Sequence, residues 1–300
     1  MQSRLSLKGC FPPIPTPFDG NGRIAHDHLG LNLEKWQKTP LRGFVVLGSN
    51  GEAALLREQE KVAVWKTARA AIRKDRLFIA GTGCEATVES LEITEKAAQC
   101  GADAAMVVTP HYYKAKMDHR ALLAHYTFLA DRSPIPIVLY NVPANTGVDM
   151  TAETMIALAE HPNIIGAKDS AGNIVKIGQV ATVTKGRFQV LAGSGGFLLA
   201  ALAVGAVGGV MALACVAPNL VAEIVSSFER GDREKAREIQ GRLIPVNAAV
   251  TTRFGIPGLK AALDLLGMYG GPVRSPLLSL RKPEREELEA ILGEGGLLNR

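Results

Sequence analysis

Lys168 closes the short apolar run Ile164-Ile165-Gly166-Ala167. A run this short, β-branched and bounded by polar residues predicts a buried strand. An ammonium at its end is costly to desolvate. Burial disfavours the charged form of an amine, and a neutral amine is a nucleophile that condenses with a ketone to a Schiff base. The plainer use of Lys168 is an ion pair with Asp169 or another nearby carboxylate. Polar residues recur at the ends of similar runs. Ser49 and Asn50 follow residues 43–47, Tyr112 and Tyr113 follow 104–108, Tyr140 ends 137–140, and Gly193 and Ser194 follow 188–191. A phenol such as Tyr140 carries protons when its neighbours tune it, and Tyr112 could extend a relay by bonding to Tyr140. Gly48 and Gly51 let the chain turn tightly and expose amides. With the Ser49 hydroxyl and the Asn50 amide, these could hold a carboxylate. Ser170, two residues past Lys168, could reach the same substrate. Each has an ordinary alternative: a turn opening a helix at 48–52, a strand-capping Tyr140, a surface or interface Tyr112, a helix cap at Ser170.

The elements that must position these residues alternate along the chain. Apolar runs at 9–15, 43–47, 77–80, 104–108, 137–140, 164–167, 188–191 and 207–211 predict strands. Helical patterns at 26–38, around Val62, Trp65, Arg69 and Ile72, and at 86–100, 118–130, 152–160, 174–183 and 197–204 separate them. Continuously apolar strands alternating with helices imply a parallel sheet covered on both faces. Eight such units over residues 1–230 match an α/β (β/α)8 TIM barrel, which gathers strand C-termini at one mouth. An open doubly wound sheet would want its glycine-rich loop after the first strand. Gly193-Ser194-Gly195-Gly196 instead follows the seventh, where a barrel places anion sites. Beyond residue 230 the period changes. Ala236, Ile239, Leu243, Val246 and Val250 recur at helical spacing, and 258–266 and 283–292 also read as helices. Residues 231–300 are expected to form a C-terminal helical extension that covers the barrel edge or contacts another subunit.

Composition narrows the classes. The chain has 300 residues, a 47% hydrophobic share and a net charge of +5 with both signs interleaved. That pattern suits solvated helix faces better than a nucleic-acid footprint. The longest apolar stretch, 197–217, is broken by Gly205, Gly208 and Gly209, so a helix and a strand are expected there and no membrane span. No targeting segment shows at the N-terminus, and a cytoplasmic protein is expected. The four cysteines and six histidines are scattered. Free thiols, no metal and no other cofactor are therefore expected.

The motifs resemble a known family. G-S-N-G-E at 48–52 matches its G-x-x-G-E signature. Y-N-V-P-A-N-T-G at 140–147 and I-I-G-A-K-D-S at 164–170 match its tyrosine and lysine motifs, and G-G-P-V-R-S-P-L at 270–277 also fits. The chain resembles, over nearly its whole length, the dihydrodipicolinate synthase / N-acetylneuraminate lyase family of pyruvate-dependent class I aldolases. The resemblance implies a barrel with a helical tail and a homotetramer, a dimer of dimers. It implies Lys168 as the Schiff-base lysine for pyruvate or a pyruvyl 2-keto acid, and Tyr140 as general acid/base. Ser49 and Asn50 would hold the pyruvyl carboxylate, and Tyr112 would be a relay tyrosine entering from a neighbouring subunit. The synthases carry an arginine for the aldehyde's carboxylate where this chain has Asn145, and usually two threonines in place of Ser49-Asn50. Losing a charge-assisted clamp costs on the order of 2 kcal/mol. G-F-V-V-L-G-S-N-G-E, V-V-T-P-H-Y-Y, P-A-N-T-G and R-F-G-I-P-G-L-K are instead similar to the 4-hydroxy-2-oxoglutarate aldolase branch, where Ser170 and Gly193 would also line the site. Cleavage of 4-hydroxy-2-oxoglutarate to pyruvate and glyoxylate is the activity this implies. The competing readings are a dihydrodipicolinate synthase, a 2-keto-3-deoxy sugar acid aldolase or dehydratase, and a non-catalytic pyruvate-binding regulator.

Overall fold

The computed structural model describes residues 5–298. Its strands are β1 (Gly9–Phe11), β2 (Pro13–Ile14), β3 (Gly43–Val46), β4 (Leu77–Gly81), β5 (Ala104–Val108), β6 (Ile137–Asn141), β7 (Ile164–Asp169), β8 (Gln189–Ala192) and β9 (Gly208–Val210). All neighbours in this sheet pair in parallel, and its two ends are β1, against β9, and β2, against β3. The first barrel strand, expected as one run at 9–15, is thus two pieces that close the ring. The break falls at Pro12, which has no N–H for the ladder, while its carbonyl still accepts from the Val45 amide at 3.0 Å.

Around the strands lie α1 (His26–Trp36), α2 (Glu58–Ala71), α3 (Thr87–Gln99), α4 (His119–Arg132), the single turn α5 (Pro143–Thr146), α6 (Ala152–Leu158), α7 (Ile174–Thr184) and α8 (Leu198–Ala203). The short α9 (Leu213–Val216) and α10 (Pro218–Glu229) follow the last strand. The expected helix and strand inside 197–217 are α8 and β9, and no helix among the described residues is long and apolar enough to cross a membrane. The tail adds α11 (Arg233–Ala248), α12 (Gly255–Leu265) and α13 (Lys282–Glu294).

Alternation along the strands sorts side chains into two apolar layers. Phe11, Val45, Ile79, Met106, Val138, Ile165, Leu191 and Val210 fill the barrel interior. Phe44, Val46, Phe78, Ala105, Val107, Leu139 and Ala167 face the helices. Ile239, Leu243, Val246 and Val250 of the tail join that outer layer, which buries the predicted apolar stripe of α11. The four cysteines are free.

Candidate active site

Lys168 and Tyr140 are register partners on β7 and β6. Both are buried, and the Lys168 ammonium lies 3.9 Å from the centre of the Tyr140 ring. Their common inward direction depends on an irregularity in the ladder. Ile137 pairs with Ile164, yet Val138 pairs with Gly166, so β7 holds one extra residue at Ile165. Ile164 and Ala167 belong to the outer layer and Ile165 to the inner one. Strict alternation from Ile164 would point Lys168 outward, and the bulge turns it in.

Asp169, next in the strand, faces the other way. Its carboxylate is fully buried against Lys176 of α7 at 2.9 Å and accepts from Asn141 at 2.9 Å and from the Ala171 amide at 2.9 Å. Lys176 also holds Asp149 at 2.5 Å. The expected alternative for Lys168, pairing with Asp169, is therefore not what the chain does. Asp169 is neutralised from outside the barrel.

The Tyr140 hydroxyl lies 3.2 Å from the Ser49 hydroxyl. Burial raises its pKa, but the Lys168 charge and hydrogen bonds with Ser49, Lys168 and Ser170 outweigh burial, so the phenol ionises below its ordinary range. A phenol so poised beside an amine can take up and return protons. Gly193 stands close behind Ser170. A Cβ there would lie 2.0 Å from the Ser170 hydroxyl and 2.7 Å from the Asp169 carbonyl, so only glycine fits.

Ser49 and Asn50 form a single helical turn after β3. The strain in this turn is not at its glycines. Gly48 has an extended backbone, whereas Leu47 (φ 61°) and Glu52 (φ 55°) are left-handed. Two contacts hold it from below. Thr16 donates to the Gly51 carbonyl at 2.6 Å, and Gly81 lets the Leu47 carbonyl approach to 2.1 Å from where a Cβ would sit. Glu52 anchors it to the tail. Its carboxylate, wholly buried, pairs with Lys260 of α12 at 2.5 Å and accepts from the Arg274 amide at 2.8 Å. Arg274 in turn makes two 2.8 Å bonds to Glu60. Sequence reasoning gave Glu52, Lys260 and Arg274 no role. The signal available was a pair of opposite charges ending two motifs, G-S-N-G-E and R-F-G-I-P-G-L-K.

A cavity of about 370 Å³ opens at this mouth. Ser49, Tyr140 and Asn145 line it, with Leu47, Met106, Val108 and Val142, and the tail contributes Ile256, Pro276 and Leu277. Asn145 is exposed on α5 at the rim. Tyr112 is not brought to Tyr140 within the chain. It is 76% exposed and packs edge-on against Tyr113, which is 72% exposed. The loop 193–196 is not an open anion site. Gly195 donates to Asn247 at 3.1 Å, its carbonyl accepts from Gln240 at 2.7 Å, and Gly196 donates to Ser194 at 3.2 Å. Helix α11 thereby fixes the loop that presents Gly193. Among the described residues no cluster of His, Cys, Asp and Glu is placed to hold a metal ion.

A closed parallel barrel with a lysine and a tyrosine facing each other at its C-terminal mouth is the framework of a class I aldolase, a carbon–carbon lyase that works through an amine. Residues 6–294 match the Dihydrodipicolinate synthetase family, and the chain belongs to that family. It is 38% identical over 293 residues to the 4-hydroxy-tetrahydrodipicolinate synthase of Cereibacter sphaeroides, covering 97% of this chain and 100% of that one. It is 36% identical over 287 residues to that of Methanothrix thermoacetophila, covering 95% and 96%. The dihydrodipicolinate synthase of Acinetobacter baumannii, solved with pyruvate, superposes with a TM-score of 0.93 at 30% identity, over 98% of this chain and 100% of that one. A prophage protein of the same family from E. coli K12, also in complex with pyruvate, gives 0.91 at 28% identity, over 98% and 100%. The protein is thus a pyruvate-dependent class I aldolase of this family, as the motifs led one to expect.

Proposed function

We propose that the protein cleaves 4-hydroxy-2-oxoglutarate reversibly to pyruvate and glyoxylate. The Lys168 amine attacks C2, and loss of water leaves an iminium. Ser49 and Asn50 hold the adjacent carboxylate. Tyr140, as phenolate, takes the C4 hydroxyl proton. The C3–C4 bond breaks, its electron pair moves into the iminium to give an enamine, and glyoxylate departs. Protonation at C3 and hydrolysis return pyruvate and free Lys168. In this reading the assembly is a homotetramer, and Tyr112 reaches the relay from a neighbouring copy. Its exposure in the single chain supports that placement.

The observation that carries the substrate is Asn145. It stands at the cavity rim, uncharged, where the synthases have an arginine for the aldehyde's carboxylate. A second reading, synthesis of 4-hydroxy-tetrahydrodipicolinate from pyruvate and aspartate semialdehyde, is favoured by the names of the relatives above. Turnover of 4-hydroxy-2-oxoglutarate, of pyruvate with aspartate semialdehyde, and of 2-keto-3-deoxy sugar acids separates the readings. The highest kcat/KM is expected for the first, and a higher value for aspartate semialdehyde would overturn it. Borohydride trapping with pyruvate should add mass to the peptide holding Lys168. A normal adduct yield in Lys168→Ala would remove that lysine from the mechanism.

A further inference from the structure

Lys168 and Tyr140 face the barrel interior, and the residue after each faces the helices. Asn141 and Asp169 are the next register pair of β6 and β7. Both are buried. The Asn141 side-chain amide donates to the Asp169 carboxylate at 2.9 Å and to Asp149 at 2.7 Å, and its oxygen accepts from the Met150 amide at 2.9 Å. From α7, Lys176 closes the cluster on Asp169 at 2.9 Å, Asp149 at 2.5 Å and the Met150 carbonyl at 3.2 Å. The main chain carries the link inward. The Ser170 amide donates to the Asn141 carbonyl at 2.9 Å, and the Gly193 amide to the Asp169 carbonyl at 2.7 Å. The reaction written above uses none of these side chains.

A one-residue slip that erased the bulge at Ile165 would interchange the directions of Lys168 and Asp169. It would bring a carboxylate into the barrel and leave Lys176 facing a second ammonium. Burying a charge without its partner is costly, so the cluster opposes the slip. We propose that Asn141 and Asp169, with Lys176 behind them, are positioning residues. They act from the helix side to hold Lys168 and Tyr140 face to face with Ser170 beside them. The inference rests on Lys168 and Tyr140 as the working pair and holds for any aldehyde.

Pyruvate alone provides the test. The Lys168 amine adds to C2 and water leaves. The iminium gives up a methyl proton, whose bonding pair forms the enamine, and the reverse step in D2O returns a deuteron. NMR follows this exchange across pH, with borohydride trapping as a separate readout. Asn141→Ala cuts the bond between β6 and β7 and leaves Lys176 on Asp169. It should slow exchange by about tenfold to a hundredfold through misplacement of the pair. It should also move the rising limb of the exchange profile to higher pH. Against the effect of burial, the Lys168 charge and the hydrogen bonds of Ser49, Lys168 and Ser170 hold the Tyr140 phenol below its ordinary range, and a looser pair loses part of that. Asp169→Ala should act likewise, and Asp169→Glu, which keeps the carboxylate, should restore part of the rate. Ile72→Ala, in the core where α2 leads into β4, should lower the urea midpoint and leave the limb in place. An unmoved limb in Asn141→Ala, an equal shift in Ile72→Ala, or Asp169→Glu no faster than Asp169→Ala would overturn the proposal. Where an alanine variant does not fold, Asn141→Ser decides by the same limb. Failure of Lys168 as the Schiff-base residue shows separately, as absent trapping in the parent.

Discussion

Replacing Lys260 by methionine would leave the Glu52 carboxylate buried opposite an apolar side chain. The two side chains are 1% and 0% exposed, 2.5 Å apart. Lys260 also donates to the Pro272 carbonyl at 2.8 Å and lies 4.3 Å from the Phe18 ring centre. Burial lowers the Lys260 pKa and the Glu52 charge only partly offsets it. The pair therefore contributes little as a whole, yet halving it exposes the full cost of an unpaired buried charge. That cost is about 3–5 kcal/mol, and at a few degrees per kcal/mol for a chain of this size it lowers Tm by roughly 6–20 °C. The double variant Glu52→Gln with Lys260→Met removes both charges and keeps an acceptor for the Arg274 amide. It should recover at least half of the loss. Urea unfolding of the parent, both single variants and the double variant closes the cycle. A Lys260→Met loss below about 1 kcal/mol, or a double variant no better than the sum of the singles, would refute the reasoning. Because Glu52 holds the turn of Ser49 and Asn50, Lys260→Met should also weaken pyruvate binding while Lys168 and Tyr140 stay in place.

Tyr140→Phe removes the group assigned to proton transfer and should lower kcat by about 10²–10⁴-fold, and kcat within a factor of a few of the parent would exclude it. Hydrogen bonds from Ser49 and Ser170 favour the Tyr140 phenolate. Ser49→Ala or Ser170→Ala should therefore raise the phenol pKa and move the rising limb of the kcat/KM profile to higher pH, and a limb that stays put or moves down contradicts this. Gly193→Ala should cost about 1–3 kcal/mol through overpacking against Ser170 and the Asp169 carbonyl, read as a lower urea midpoint with impaired activity.

Much of this was legible in the sequence because it is local. The strands of β3 to β9 announce themselves as short apolar runs, and the period change beyond residue 230 marks α11 before any contact is known. The motifs around Tyr140 and Lys168 led to the family because a nucleophile, its proton carrier and their glycines occupy fixed spacings. What distance along the chain conceals was not legible. Glu52 and Lys260 are separated by the whole barrel, so their pairing follows only from where the tail docks. Likewise, the amides of 193–196 read as an anion site until Asn247 arrives from α11 to accept from Gly195 and the Asp169 carbonyl accepts from Gly193. Tyr112 read as a partner for Tyr140, and within one chain strand order brings them to one mouth without bringing them into contact, which leaves the relay to a neighbouring copy.

Lys168 shows the division most plainly. Its type and its place at the end of an apolar run followed from the residues alone, as did the identity of the phenol one strand away. Whether it faced the barrel interior did not. Strict alternation from Ile164 points it outward, and the extra residue at Ile165 reverses that. A bulge is a property of two paired strands, set by how β7 fits β6, and one strand's sequence does not carry it.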